Sequence, residues 1–256
     1  MSNNTNFVIT LFARAARLGQ VKRRLAADIG EQLALLTHQF LVEKTLTALS
    51  GYEGAELQIW VDDIGNLDYQ DPLYPHRECL IAQEGDTLGK RMAIAVRRSI
   101  KNGKIPIVIG SDCPPITANY IQEAKLLLES EYDVVIGPAE DGGYVLIGMK
   151  QFHSTLFESI DWGTDSVLQQ TLAAANKLTL TVAVLETLWD VDRLEDLARL
   201  AALGLPHYPK ELQRGLATLQ LYPEFVEPLQ AGRCHVACSD DLKDPGRKSR
   251  RSRRNS

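Results

Sequence analysis

The stretch Ile105-Pro-Ile-Val-Ile-Gly-Ser-Asp-Cys-Pro-Pro115 constrains this chain more than any other. Its aliphatic residues predict a buried strand. The strand stops at Gly110, which lets backbone approach a ligand. Asp112 follows at the strand end, and Pro114 and Pro115 forbid further sheet pairing. Thr117 onward, Thr-Ala-Asn-Tyr-Ile-Gln-Glu-Ala-Lys, predicts a helix. A carboxylate between the C-terminal end of a strand and a helix stands where open α/β sheets bind ligands. It also stands where aspartate commonly closes a turn, and position alone leaves both readings open.

The 256 residues are enough for one large α/β domain. No apolar run approaches the roughly 20 residues of a membrane span. The start, Met1-Ser-Asn-Asn-Thr-Asn, lacks a basic leader, and four cysteines do not make a disulfide framework. A cytoplasmic protein is therefore expected. Lys243 to Arg254 holds seven basic residues and one acid, which leaves residues 1–242 with 21 basic against 32 acidic residues. So acidic a body is a poor nucleic-acid binder. The basic tail has no apolar residue to fold with and is expected to be disordered. The expected division is a domain over residues 1–228 and a tail over 229–256.

Phe7 to Ala13 predicts the first strand, followed by a loop from Arg14 to Leu25. That loop carries Gly19 and five cations: Arg14, Arg17, Lys22, Arg23 and Arg24. A basic loop after the first strand of an α/β unit suits phosphate, since lysine neutralises charge and arginine forks onto paired oxygens. It has neither the Gly-Lys-Ser/Thr of a Walker loop nor the three glycines of a dinucleotide fingerprint. Helical spacing over Gly30 to Ser50 predicts a helix in which His38 is structural. Glu56 to Asp63 and Glu78 to Gln83 predict strands. Gly85-Asp-Thr-Leu-Gly-Lys-Arg-Met92 opens a helix that Asp86 is placed to cap, and its N-terminus faces an anion or a base.

Asp133 to Gly148 predicts two strands around Glu140-Asp141-Gly142-Gly143. Asp-Gly signals a tight hairpin, while two glycines beside two carboxylates also admit a ligand. Trp162 lies in a loop, as packing anchor or as rim. Thr164 or Asp165 is expected to cap the next helix. Asp192 with Glu195 reads as the cap of a later one, and Asp190 is not needed for that cap. Glu211 to Leu219 predicts a short helix. Cys234-His-Val-Ala-Cys238 is half of a metal knuckle without its partner pair, and no structural zinc is expected.

Five motifs in order carry a resemblance over residues 7–203: the basic loop, Gly85-Asp-Thr-Leu-Gly-Lys-Arg-Met, Ile109-Gly-Ser-Asp-Cys-Pro, Gly137-Pro-Ala-Glu-Asp-Gly-Gly-Tyr and Asp190-Val-Asp-Arg-Leu-Glu-Asp-Leu. The chain resembles the GT-A-like transferases related to molybdenum-cofactor and phospholactate nucleotidylyltransferases. Some members are described as glycosyltransferases of arsenosugar biosynthesis. In the basic loop, Arg14 replaces the family's lysine, Ala16 its proline and Arg23 its threonine. The acidic motif is Asp112 alone.

The resemblance implies one GT-A-type α/β domain with a mostly parallel sheet sandwiched by helices. It implies a nucleoside triphosphate or nucleotide sugar held by Arg14, Gly19, Lys22 and Arg24, with Gly85, Asp86, Gly89 and Arg91. A divalent metal, Mg²⁺ or Mn²⁺, is expected on Asp112 and Asp190, with Asp112 and Asp141 as catalytic carboxylates. Gly142, Gly143, Tyr144, Trp162 and Thr164 would face a small-molecule acceptor. Glycosyl transfer is the expected activity. Nucleotidylyl transfer with release of pyrophosphate and nucleotide binding without turnover are the alternatives.

Overall fold

The computed structural model of the protein describes residues 6–50, 52–203 and 209–218. The basic tail, the expected boundary at residue 228 and the Cys234–Cys238 segment lie outside these residues. Seven strands form one sheet: β1 (Phe7–Ala13), β2 (Glu56–Val61), β3 (Leu80–Ala82), β4 (Ile105–Gly110), β5 (Val134–Pro138), β6 (Tyr144–Met149) and β7 (Val182–Val184). Their order is β3-β2-β1-β4-β6-β5-β7. All pairings are parallel except the two made by β6.

The strand residues explain the layering. Ile107, Val108 and Ile109 of β4 are all buried. Ile107 and Ile109 join the core beneath helices α2 (Glu31–Ser50) and α4 (Ala118–Glu129), through Val42, Leu49, Tyr120 and Ile121. Val108 joins the opposite core with Met92 and Val96 of α3 (Leu88–Lys101) and Ala175 of α5 (Val167–Lys177). Alternate side chains thus serve opposite faces, as a strand between two helical layers requires. A smaller core joins α1 (Arg23–Ile29) and α2 to α6 (Leu194–Ala202) and α7 (Lys210–Thr218), around Leu25, Leu41, Val191 and Leu200. The α/β sandwich expected from the sequence is the observed fold. No helix among the described residues is long and apolar enough to cross a membrane.

Several local expectations are corrected. The segment read as loop to Leu25 turns helical at Arg23, because Leu25 and Ile29 find a core against α2 that periodicity over seven residues cannot reveal. Asp86 does not cap α3. Thr87 does, with extended backbone and a hydroxyl accepting from the Lys90 amide at 3.3 Å, while Asp86 pairs with the Lys90 ammonium. Neither Thr164 nor Asp165 caps α5; Ser166 precedes it, and the Thr164 hydroxyl donates to the Asp161 carbonyl instead. Asp192 does not cap α6. The Asp196 carboxylate reaches back to the amides of Asp192 and Arg193, which frees the Asp192 side chain for Arg24.

Candidate functional site

The topology brings four loops to one edge. Strand β1 lies between β2 and β4, parallel to both; α2, which follows β1, packs on one face and α3, which leads into β4, on the other, so a crevice opens at the C-terminal end of β1. Phe12 is level with Gly110, which sets the basic loop beside Asp112. Antiparallel β6 starts at this edge, so the Asp141–Gly143 turn arrives there too. Ala139 bridges to Leu188 in parallel, which carries Asp190 to the same place. The result is a cleft of about 750 Å³, within the usual range for a small-molecule site.

At its centre Lys22 Nζ meets Asp112 Oδ2 at 3.0 Å. Lys22 is 7% exposed and Asp112 42%, so the carboxylate opens to the cleft while the ammonium backs it. Lys22 stands in left-handed backbone at φ 44°, uncommon for a residue with a side chain. Desolvation alone would raise the Asp112 carboxyl, but the charge and hydrogen bond of Lys22 outweigh it and hold Asp112 below its ordinary value. Asp190 makes no ion pair among the described residues, and Lys22 offsets its shift only in part. Desolvation, then the charges of Asp112 and Asp141, push it up to about 7. His38 sits behind the loop, with Nε2 at 3.0 Å from the Arg14 carbonyl. Burial, helped by Lys22, lowers its pKa, which favours the neutral imidazole, and the ring also lines the cleft.

The basic loop is fixed by carboxylates on other segments. The Ala15 amide donates to Asp62 at 2.9 Å and the Ala16 amide to buried Asp71 at 2.6 Å. Arg14 and Arg17 ion-pair with Asp62 and Asp63. Arg24 pairs with Asp192 at 2.9 Å, a pairing the sequence could not indicate across 168 residues. Arg91 donates through Nε to the Gly85 carbonyl at 2.9 Å.

The cleft gathers Arg14, Lys22, Arg24, Asp86, Arg91 and Asp112 from the first half of the chain. From the second half come Asp141, Asp190 and Gly143, with Tyr144, Trp162 and Thr164. Trp162 and Tyr144 meet edge to face at 6.1 Å, so Trp162 is packing anchor and wall together. Four expected residues do not line the cleft: Gly19, Gly85, Gly89 and Gly142. Gly89 is the floor under Trp162, where a Cβ would collide with the indole. Gly142 turns the β5–β6 hairpin at φ 87°, against the Asp165 backbone. Gly142→Ala is therefore expected to cost about 1–3 kcal/mol through strain and collision, read as a lower urea midpoint; an unchanged midpoint would refute the tight approach.

Gln83 was missed. It follows β3 as Asp112 follows β4, and its amide donates to the carbonyls of Ala13 and Trp60 at 3.0 and 2.8 Å while lining the cleft. Its position after a strand was the available signal.

Among the described residues no three His, Cys, Asp or Glu side chains close into a ready-made cation cage. The carboxylates present still suit a hard cation that keeps waters and takes oxygens from a bound phosphate, as Mg²⁺ does with one or two protein carboxylates.

Comparison with known proteins fits this geometry. Residues 45–164 match a family described as "Uncharacterized protein conserved in bacteria (DUF2064)". No protein of curated function matches the sequence. A solved structure from Desulfovibrio desulfuricans G20, with the provisional description nucleotide-diphospho-sugar transferase, is 30% identical at a TM-score of 0.70; the match covers 79% of this chain and 89% of that one. Two more distant structures share the fold. The 4-diphosphocytidyl-2C-methyl-D-erythritol synthase of Anaerococcus prevotii DSM 20548 is 11% identical (TM-score 0.52, covering 77% of this chain and 96% of that one). A nucleotidyl transferase from Methanothermobacter thermautotroptrophicus is 15% identical (TM-score 0.50, covering 76% and 96%).

Proposed function

The chain belongs to the GT-A-like family of nucleotide-diphospho-sugar transferases, and from that premise we propose that it moves a glycosyl group from a nucleotide-activated sugar to a small acceptor, assisted by a divalent metal. The observation that carries this reading is the Lys22–Asp112 pair at the switch point, with Asp190 held close at a raised pKa.

In glycosyl transfer the acceptor attacks the anomeric carbon, the bond from that carbon to the diphosphate breaks, and a nucleoside diphosphate leaves. The leaving group carries the negative charge to be stabilised. Lys22 offers ammonium donors at that place, and Arg24 and Arg91 offer guanidinium forks at the cleft wall. Asp112 and Asp190 are the carboxylates suited to a divalent metal, with Lys22 as the counter-charge to Asp112 when no metal is bound. A bound metal would neutralise phosphate oxygens as the bond breaks. Asp141 is braced by its own turn, accepting from the Gly143 amide at 2.8 Å, and lines the cleft together with Tyr144 and Trp162. That part of the cleft would receive the acceptor.

The test is a panel of nucleotides and nucleotide sugars titrated with and without Mn²⁺, followed by chromatography of the products. Release of nucleoside diphosphate from a nucleotide sugar supports the reading. Release of pyrophosphate from a triphosphate would replace it with nucleotidylyl transfer, and binding without turnover would sink both. Asp112→Asn leaves Lys22 without its counter-charge, so a stability loss of about 1–3 kcal/mol is expected. The decisive quantity is the ratio of affinities with and without Mn²⁺, which should fall about tenfold, the loss typical of a site one group short. An unchanged ratio removes Asp112 from the metal.

A further inference from the structure

Asp141 and Asp190 arrive at the cleft on different segments, and one side chain outside the cleft touches both segments. Backbone pairing between the segments is short. The Leu188 amide donates to the Pro138 carbonyl at 2.9 Å and the Glu140 amide to the Leu188 carbonyl at 3.0 Å. Beyond these bonds the chains part, one into the Asp141–Gly142 turn and the other towards Asp190.

Arg199 of α6 contacts both. Its Nη1 and Nη2 donate to the two carboxylate oxygens of Glu140 at 2.6 and 2.9 Å. Its guanidinium carbon lies 4.4 Å from the centroid of the Trp189 ring. Glu140 immediately precedes Asp141, and Trp189 immediately precedes Asp190. One planar cation therefore grips the residue before each carboxylate, by a fork on one side and a stack on the other. Lysine cannot reproduce both contacts. Arg199 does not line the cleft.

From this geometry we infer that Arg199 is a positioning residue, a clip that sets the separation of Asp141 and Asp190. The inference rests on the preceding reading of those carboxylates as working groups. The pair is open to water, with Arg199 44% and Glu140 50% exposed, so it adds little to global stability. Its effect falls on local geometry, and that is what separates it from an ordinary structural contact.

The experiment compares wild type with Arg199→Met and Arg199→Lys. Amide hydrogen exchange is followed in residues 139–143 and 188–192, with melting temperature alongside. Affinity for the tightest-binding nucleoside diphosphate of a four-base panel is measured with and without Mn²⁺. In Arg199→Met, exchange should rise in both segments together while the melting temperature hardly moves. The Mn²⁺-dependent gain in affinity should fall about tenfold with metal-free affinity retained, the usual consequence of loosening a ligand's support. Arg199→Lys should recover part of that gain through Glu140 but leave the Trp189 segment loose. Unchanged exchange in Arg199→Met overturns the clip. Raised exchange with an unaltered Mn²⁺ effect overturns the positioning role and leaves a structural contact. A wild type without any Mn²⁺ effect overturns the metal reading itself and the role assigned here with it; the exchange data tell that failure from failure of the clip.

Discussion

Lys22→Met is expected to weaken binding of a nucleoside diphosphate by roughly 10- to 100-fold while leaving the bare nucleoside almost untouched. A charge-assisted hydrogen bond contributes about 1.5–3 kcal/mol, and each decade of affinity is about 1.4 kcal/mol. Methionine keeps the length of the side chain and its apolar stem, so the packing of a residue only 7% exposed is disturbed little. The diphosphate loses its ammonium; the nucleoside has no phosphate to lose it from. Asp112 adds a second sign. Lys22 is what holds that carboxyl below its ordinary value, so in the variant its pKa should rise. Calorimetric titration of nucleoside, diphosphate and triphosphate into both proteins separates the possibilities. Equal losses for all three would mean that Lys22 shapes the cleft and does not clamp phosphate. No loss would leave Lys22 as the partner of Asp112 and nothing more.

Asp190→Asn is expected to stabilise the fold and to abolish the Mn²⁺ effect on nucleotide binding. Asp190 is pushed up to about 7 by desolvation and by the nearby charges of Asp112 and Asp141. In the unfolded chain it titrates near its ordinary value of about 3.9. The folded state thus binds the proton more tightly than the unfolded state. The associated stability is present below about pH 4, is lost as the pH rises through about 7, and is absent at pH 8. Asparagine does not bear the cost of a buried charge. At about 1.4 kcal/mol per pH unit of displacement, and allowing for water at the cleft mouth, the variant should gain on the order of 3 kcal/mol at pH 8. The gain should shrink towards pH 5 and vanish near pH 4. Urea unfolding of both proteins at pH 8, 6 and 4.5 gives the profile directly. A difference that stays constant with pH would show that Asp190 does not titrate in this window. Such exchange of stability for function is common where like charges are gathered to bind a ligand.

What the sequence determined was the frame. The apolar run of β4, stopped by Gly110 and closed by two prolines, could end only at a sheet edge, and the residue there was Asp112. The switch from strand to helical period between Ile105 and Glu129 made the rest of the unit, and five motifs in order carried the family. Strand ends and turn residues are local signals, written in the few residues that make them. The partners were not local. Periodicity placed the start of α3 near Gly85, but only backbone conformation decided that Thr87, not Asp86, caps it. The helix from Arg23 was hidden because its few turns borrow their stability from α2. The basic loop, with Ala16 in it, is held by Asp62 and Asp71, which lie 47 and 55 residues from the amides they accept from. Lys22 and Asp112 are 90 residues apart, and Arg199 and Glu140 are 59. Contacts over such separations depend on which strands are neighbours, and strand order is fixed by the burial of whole faces, which no single stretch encodes. The sequence therefore named most of the charged residues that line the cleft, Asp192 excepted; the order of strands around β1 decided which of them face one another.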